Sequence, residues 1–255
     1  MKIFVTAKTY PNLSSKYNET VCTAGINEYG EWVRIYPIPY RNLKKEQKFK
    51  KYQWIDVELM KDKSDIRPES YKLIGDITPL KAVNTKAGWL ERKNIVLSKV
   101  YTHLPTIIDE ARNKSISTSL AVFKPYKILN FKMEKAVSKR ENLEKRKALE
   151  QQIGRNKTKK LIDEVPYRFY YTFLDEEGNR SRLQILDWEI FQLYRKLARK
   201  YGAKSKATYD AMRAKYFEEF SRDRDVYFFL GTSRYWHIRR SRNPFMIIGV
   251  FYPPK

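Results

Sequence analysis

The chain has 255 residues, of which 42% are hydrophobic and 15% aromatic, and its 52 Lys and Arg residues exceed its 29 Asp and Glu residues by 23. This length and this share of core-forming residues predict a globular protein of one large or two small domains and exclude a disordered chain. A single cysteine and two histidines exclude an internal disulfide and a Cys/His zinc cage of the usual kind.

The net charge of +23 indicates the class of partner. A surface with this excess of cations attracts polyanions, so we expect nucleic acid, including RNA within a ribonucleoprotein. An anionic membrane surface is the competing partner, but no basic amphipathic helix with a bulky apolar face stands out. The N-terminal apolar stretch is too short for a signal peptide and no run is long enough to span a membrane. We therefore expect a cytoplasmic protein without a membrane partner.

Residues 1–100 are predicted to form short strands separated by turns. KIFVTAK alternates, ETVCTAGI follows, and after the turn NEYG the segment EWVRIYPI resumes the alternation. KYQWIDVELM and YKLIGDITPL are the next two strand candidates. Several short strands at this spacing predict a small barrel or a sandwich.

Residues 101–165 are predicted to connect two domains. Helical spacing begins at Pro105, SLAVFKPYKILNFKM is extended, and residues 132–160 carry eleven basic and four acidic side chains. The last segment predicts an exposed helix that ends near Gly154, followed by a basic loop. A solvated linker and an arm along a phosphate backbone both fit this composition. On the second interpretation the contacts are Lys157, Lys159 and Lys160.

Residues 166–255 are predicted to return to a compact pattern. A hairpin turns at DEEGNR, a helix follows the N-cap candidate Asp187 and ends at Gly202, and TYDAMRAKYFEEFSRD predicts a second helix. VYFFLGT and PFMIIGVFY are apolar on both faces, so we expect them at the centre of a sheet. The predicted fold class is mostly β with inserted helices, α+β.

The segment between these last two strands is the first candidate nucleic-acid site. Arginine forks bind phosphate, and a base that stacks on an aromatic ring gains about 1–3 kcal/mol whatever its identity. Residues 226–255 contain no acidic residue. A plain surface hairpin is the alternative. The candidate contacts are Arg234, Tyr235, Trp236, His237, Arg239, Arg240 and Arg242.

The N-terminal hairpin is the second candidate site. Lys8, Arg34 and Arg41 lie among aromatic residues in a stretch that has no acid before Glu19. For Arg34 a structural role, paired with Glu31 or Glu58, fits the pattern equally well.

Catalysis has weaker support in the sequence. Asp56 and Glu58 share one strand face, as the carboxylates of a metal-dependent nuclease would, and Cys22 could act with His103 or His237. No phosphate-binding loop, dinucleotide fingerprint, metalloprotease motif or serine-nucleophile motif is present. The sequence therefore indicates no cofactor, no metal and no catalytic constellation.

Several segments taken in order resemble a family of uncharacterised prokaryotic proteins described as dual OB-fold proteins, associated with nucleic-acid modification or anti-phage defence loci. The segments are KIFVTAKTYP, TVCTAGINEYGEWVRIYPIPYR, QWIDVEL, LAVFKP, YRFYYTF, LDWEIFQLYRKL, YFFLGTSRYWH and NPFMIIGVFYPP. The resemblance implies two OB-like small barrels, one over 1–100 and one over 166–255 with inserted helices. Some relatives carry a Gly-His pair where this chain reads GNRSR, so no histidine chemistry is implied there.

The sequence and the resemblance together predict a protein that binds single-stranded DNA or RNA with little sequence preference. We expect an accessory or targeting factor in a prokaryotic defence or nucleic-acid-processing system. The alternatives are a metal-dependent nuclease or base-modifying enzyme, and an interaction subunit of a larger protein or ribonucleoprotein complex.

Overall fold

Two β-sheets with helices around them form the α+β fold of this computed structural model, which describes residues 1–137, 140–156 and 160–255. The strands are β1 (Lys2–Lys8), β2 (Asn12–Ser14), β3 (Asn18–Asn27), β4 (Trp32–Ile38), β5 (Gln53–Lys61), β6 (Ser70–Ala82), β7 (Val100–Tyr101), β8 (Leu120–Phe123), β9 (Lys127–Lys135), β10 (Tyr167–Leu174), β11 (Arg180–Ile185), β12 (Tyr227–Thr232) and β13 (Phe245–Phe251). The helices are α1 (Lys86–Val96), α2 (Leu104–Arg112), α3 (Arg140–Asn156), α4 (Trp188–Tyr201), α5 (Lys206–Arg213), α6 (Phe220–Asp223) and α7 (Arg234–Ile238).

Five strands close the first sheet into a barrel in the order β1-β3-β4-β6-β5, and β5 pairs back onto β1. The β4–β6 pairing is parallel and the other pairings are antiparallel. Alternation along β4 sends Val33 and Ile35 into the barrel core, as the sequence predicts. At Gly25 a Cβ atom would lie 2.6 Å from the carbonyl oxygen of Phe4, so only glycine allows β3 to approach β1 this closely.

The second sheet repeats this strand order. β9, β10 and β11 run antiparallel to one another, β11 pairs parallel with β13, and β13 pairs antiparallel with β12. β8 and β9 follow each other around Pro125, and they pair with β12 and β10 respectively, like the two halves of one bent strand. Residues 101–165, expected to be a connector, thus contribute β7, β8 and β9 to this sheet.

Three helices lie between β11 and β12. The carboxylate of Asp187 accepts a hydrogen bond from the backbone N–H of Glu189 at 3.1 Å, and α4 ends at Gly202, where φ is 93°. Both ends of this helix are as predicted. The second predicted helix is interrupted by a π-helical segment over Ala214–Glu219, between α5 and α6. The helix predicted over 132–160 begins only at Arg140, because residues 127–135 form β9.

A shared core joins the two barrels. Phe4 and Tyr52 of the first barrel pack in one cluster with Phe229 and Phe251 of the second. Lys51 is enclosed in the same joint: its Nζ donates to the carboxylate of Asp187 at 3.0 Å, to the carboxylate of Glu189 at 3.3 Å and to the carbonyl of Val250 at 2.9 Å. Burial alone would lower the pKa of Lys51, but the two carboxylates raise it well above its usual value, so the ammonium stays charged.

Within the described ranges, no helix is both long enough and apolar enough to cross a membrane.

Candidate nucleic-acid interface

A cleft of about 740 Å³ separates the two barrels on one side of their joint. Its floor is the outer face of β3 and β4, and one wall is the segment 9–13, which leads into β2. The opposite wall comes from residues 162–168, before and within β10, and the rim from residues 232–234 at the end of β12. Both barrels therefore contribute to this cleft.

Arg34 lies on the floor of the cleft. Because Val33 and Ile35 point into the barrel, Arg34 and Tyr36 point outward on β4 and line the cleft. Arg34 is only 3% exposed. Its Nη2 donates to the carbonyl and the hydroxyl of Ser119 at 3.0 and 2.8 Å, and its Nε has no hydrogen-bond partner in the described chain.

This geometry favours the structural role considered for Arg34 over the contact with nucleic acid, and it corrects the predicted partner. Arg34 is not a surface contact, and its carboxylate partner is neither Glu31 nor Glu58 but Glu69, at 3.7 Å. Since Ser119 lies 85 residues away in the second barrel, Arg34 is a structural residue that connects the two domains beneath the cleft.

Arg67 lies beside Arg34 in the cleft lining, on the loop between β5 and β6. Its guanidinium forms an ion pair with Asp65 at 2.5 Å, and its Nη1 donates to the carbonyl of Thr232 at 2.7 Å. Burial would raise the pKa of Asp65, but hydrogen bonds from Arg67 dominate and lower it to about 2. Arg67 was not predicted as a site residue, because DKSDIRPES has the composition of an ordinary loop.

Basic side chains outnumber acidic ones by six to three among the described residues that line the cleft. Lys145, Arg168 and Arg234 donate to backbone carbonyls, which leaves their charge uncompensated by those contacts. The carboxylate of Asp163 pairs with Arg195 at 2.8 Å. Glu19 accepts from the backbone N–H of Ile162 and pairs with Arg41.

Arg41 was predicted to contact nucleic acid. The structure places it on the first barrel, partly exposed and bound to the buried carboxylate of Glu19. It supports the wall of the cleft through this pair, because Glu19 in turn holds the backbone at Ile162.

The segment between β12 and β13 stands on the rim of the cleft. β12 and β13 are antiparallel neighbours, as predicted, and the segment between them begins with the short helix α7. The hydroxyl of Ser233 caps α7 by accepting from the N–H of Trp236 at 3.2 Å. The rings of Tyr235 and Trp236 meet edge to face, 4.7 Å apart, and are 53% and 48% exposed. The guanidinium of Arg239 lies 3.7 Å from the centre of the Tyr235 ring.

Six of the seven predicted contacts in this segment are exposed together, and we call them the rim cluster. They are Arg234, Tyr235, Trp236, Arg239, Arg240 and Arg242. His237 is the exception, because it is buried, with its Nδ1 3.2 Å from the hydroxyl of Thr232 and its Nε2 2.9 Å from the hydroxyl of Ser117. Burial lowers the pKa of His237, so it is a neutral anchor of the segment and not a contact.

Arg240 adopts a backbone conformation that glycine usually occupies. Its φ is +47°, its N–H donates to the carbonyl of His237, and the N–H of Ser241 donates to the carbonyl of Trp236. These two bonds end α7 in the pattern of a Schellman motif, whose left-handed position is most often glycine. A bulky residue there costs about 1–2 kcal/mol. In this segment an arginine occupies the left-handed position despite this cost.

The structure also corrects the prediction for Lys8. This residue is buried, its Nζ donates to the carbonyl of Phe49 at 3.1 Å, and it lies 3.8 Å from the centre of the Tyr40 ring. Burial lowers the pKa of Lys8 to about 8. Of the predicted basic loop, Lys160 is exposed, whereas Lys157 and Lys159 lie outside the described residues.

The carboxylates considered for catalysis lie away from the cleft. Asp56 is half exposed on β5 and pairs with the amino group of Met1 at 3.2 Å, and the neighbouring Glu58 is exposed. In the parts of the chain that the structure describes, no three His, Cys, Asp or Glu residues are grouped so that they could hold a metal ion.

Cys22 does line the cleft, where its sulfur accepts from Nη1 of Arg34 at 3.8 Å. The two histidines considered as its base bind elsewhere. His103 contacts Thr106 and Glu177, and His237 is the anchor of the rim segment.

Fold and site together define an α+β protein of two barrels that share a core and enclose a basic cleft. Two family models match the chain: a domain of unknown function (DUF8758) over residues 1–98 and a domain of unknown function (DUF8757) over residues 102–255. The second match spans more than half of the chain, so the protein belongs to the DUF8757 family. The two matches meet between the end of α1 and the start of α2, beside β7. No curated protein is significantly similar to the chain.

Proposed function

We propose that this protein binds single-stranded nucleic acid with little sequence preference, and that the strand lies in the interdomain cleft and over the rim cluster. The observation that carries the proposal is a group of exposed arginines and aromatic rings on α7 and the residues that follow it, which begins at Arg234 in the lining of a basic cleft. Rings of this kind stack on any base, and arginines bind the phosphates that every sequence shares.

We infer further that both barrels are of the OB type, in agreement with the resemblance to dual OB-fold proteins. OB domains bind oligonucleotides on the face of their second and third strands and through the loops that join strands one to two and four to five. In the first barrel these are β3 and β4, residues 9–17 and residues 62–69. All four line the cleft, which supports a binding site at this place.

The electrostatics of the cleft and its rim support binding that does not depend on the nucleic-acid sequence. Arg34 and Arg67 are buried, and each is paired with a carboxylate of the protein, Glu69 and Asp65 respectively, so they do not read bases. The exposed cations of the rim cluster would make the phosphate contacts. The proposed role is that of an accessory or targeting factor in nucleic-acid processing or defence, and a cytoplasmic location is part of the proposal.

A salt titration tests the proposal. We expect the full chain to bind a fluorescent oligo(dT) or oligo(U) of about 20 nucleotides, with an affinity that falls steeply between about 50 and 200 mM salt. Each lost phosphate contact lowers the slope of log affinity against log salt by about 0.7 for a single strand. Arg239→Ala combined with Arg240→Ala should therefore lower the slope by about 1.4.

The matched control removes the same charge elsewhere. Lys45→Ala with Lys81→Ala alters two exposed lysines that do not line the cleft. This control should keep the wild-type slope. Absence of binding at low salt, or equal slopes for both double variants, would contradict the proposal.

A second candidate function is that of a protein-binding subunit of a ribonucleoprotein. Three exposed isoleucines, Ile66, Ile116 and Ile238, lie on the three segments that meet at the rim, and they are 62%, 51% and 46% exposed. Contacts of Ser64 with Arg234 and of Ser117 with His237 bring these segments together, and exposed apolar side chains on adjoining segments favour a protein partner. A partner that stays bound after nuclease treatment would support this function instead.

A further inference from the structure

The outer face of strands β9, β10 and β11 carries a second set of exposed cations. Alternation buries Phe169, Tyr171 and Phe173 of β10 in the core of the second barrel, so the residues between them face outward. The same alternation on β11 buries Leu183 and Ile185. This outward face is not used by the site described above, except where it meets the cleft.

Five basic side chains and one acidic side chain lie on this face, which we call the sheet face. The basic residues are Lys127, Lys132, Arg168, Arg180 and Arg182, all exposed, and the acidic residue is Glu134. Glu134 pairs with Lys132 at 3.1 Å and with Arg182 at 2.6 Å. Two cations thus share one carboxylate, and these six residues together carry a net charge of +4.

The sheet face also carries an arginine packed on an aromatic ring. The guanidinium of Arg182 lies 3.9 Å from the centre of the Tyr170 ring, and Glu134 fixes its other side. Arg182 is exposed at this position, and unstacked bases stack on arginine guanidiniums and on aromatic rings.

The sheet face continues into the cleft. Arg168 and Gln184 belong both to the cleft lining and to the outward rows of β10 and β11. From Gln184 the outward row of β11 runs through Arg182 to Arg180, a distance of about 13 Å at about 3.3 Å per residue. The cations on this row therefore form a line that starts at the cleft, and they are not a separate patch.

The strand order of the two barrels gives the sheet face a structural equivalent. β10 and β11 take the same second and third places in their barrel as β3 and β4 take in theirs. The outer face of β3 and β4 is the floor of the cleft. In the second barrel the corresponding face is open to solvent.

We propose that the sheet face is a second binding site for single-stranded nucleic acid, which takes the continuation of a strand that leaves the cleft past Arg168 and Gln184. This inference rests on the proposed function. A strand long enough to cover both sites contacts phosphates at Arg180 and Arg182, whereas a short one is held by the cleft and the rim cluster alone.

The test compares two oligonucleotide lengths in one variant. Arg180→Ala with Arg182→Ala removes two exposed side chains and leaves the core of the barrel untouched. For an oligo(dT) of about 20 nucleotides we expect the salt slope to fall by about 1.4, while an oligo(dT) of about 6 nucleotides keeps its wild-type slope and affinity. The Lys45→Ala with Lys81→Ala variant is the charge-matched control and should change neither.

Each outcome decides the inference. A length-dependent loss supports the sheet face as a second site. Binding of both lengths by the wild type with no change in the variant, or an equal loss at both lengths, overturns the second site and leaves the cleft intact. If the wild type binds neither length, the proposed function itself fails, and the sheet face fails with it.

Discussion

Replacement of Lys51 by methionine tests whether the ion pair in the joint holds the two barrels together. The wild-type ammonium donates to Asp187, Glu189 and the carbonyl of Val250, and Asp187 is only 1% exposed. Methionine fills a similar volume but leaves the Asp187 carboxylate without a cation. Two backbone donors remain, the N–H groups of Val250 and Glu189 at 3.0 and 3.1 Å.

The expected loss at neutral pH is about 3–5 kcal/mol of unfolding free energy, the cost of removing one partner of a buried pair. Burial raises the pKa of Asp187, and Lys51 is the charge that opposes this shift. Without Lys51 the folded-state pKa lies further above the unfolded value of about 3.9. An aspartate whose folded-state pKa is raised destabilises the folded protein at pH values above that pKa, and protonation below it removes this destabilisation. The loss of unfolding free energy caused by Lys51→Met should therefore shrink as the pH falls toward about 4.

Urea unfolding followed by circular dichroism, at pH 7 and again near pH 5, measures both effects. Asp187→Asn alone should also destabilise, because it leaves Lys51 buried without its main partner. The double variant should lose less than the two single variants summed. A loss below about 1 kcal/mol for Lys51→Met, or a deficit that grows in acid, would refute the account of a charged and mutually dependent pair.

Three further predictions concern single residues. Trp236→Ala should weaken single-strand binding by about 1–3 kcal/mol and duplex binding less, which competition between the two forms measures. Arg240→Gly should raise the unfolding free energy by up to about 1 kcal/mol, because it relieves the left-handed backbone, yet lower the salt slope by about 0.7; a loss of stability would contradict the strain. Gly25→Ala should destabilise by about 1–3 kcal/mol in thermal or urea unfolding, since its Cβ would meet Phe4, and a neutral result would contradict the close approach of β3 to β1.

The fold was predictable where local patterns decide it. Alternation identified β1 and β4, continuous apolar runs identified the last two strands, and the N-cap Asp187 with Gly202 marked both ends of α4. The bent strand around Pro125 was predicted as extended but not assigned to the second sheet. Its partners β10 and β12 are distant in sequence, and no local pattern carries that information.

The site was predictable only where side chains are exposed by local geometry. The rim cluster follows from composition, because an arginine-rich turn between two apolar strands has to lie on the surface. Lys8 and Arg34 were misplaced because distant contacts bury them. Lys8 packs against Tyr40 and Phe49 of its own barrel, and the second barrel covers Arg34 through Ser119. His237 belongs with them, since the hydroxyls that bury it come from Thr232 and Ser117.

The aromatic core shared by the two barrels fixes the spacing between them. Since rings from both barrels interlock in one sealed seam, the walls of the cleft stand at a preset spacing before anything enters. If a single strand binds there as proposed, the entropic cost of association comes mainly from ordering the strand and not from bringing the two barrels together.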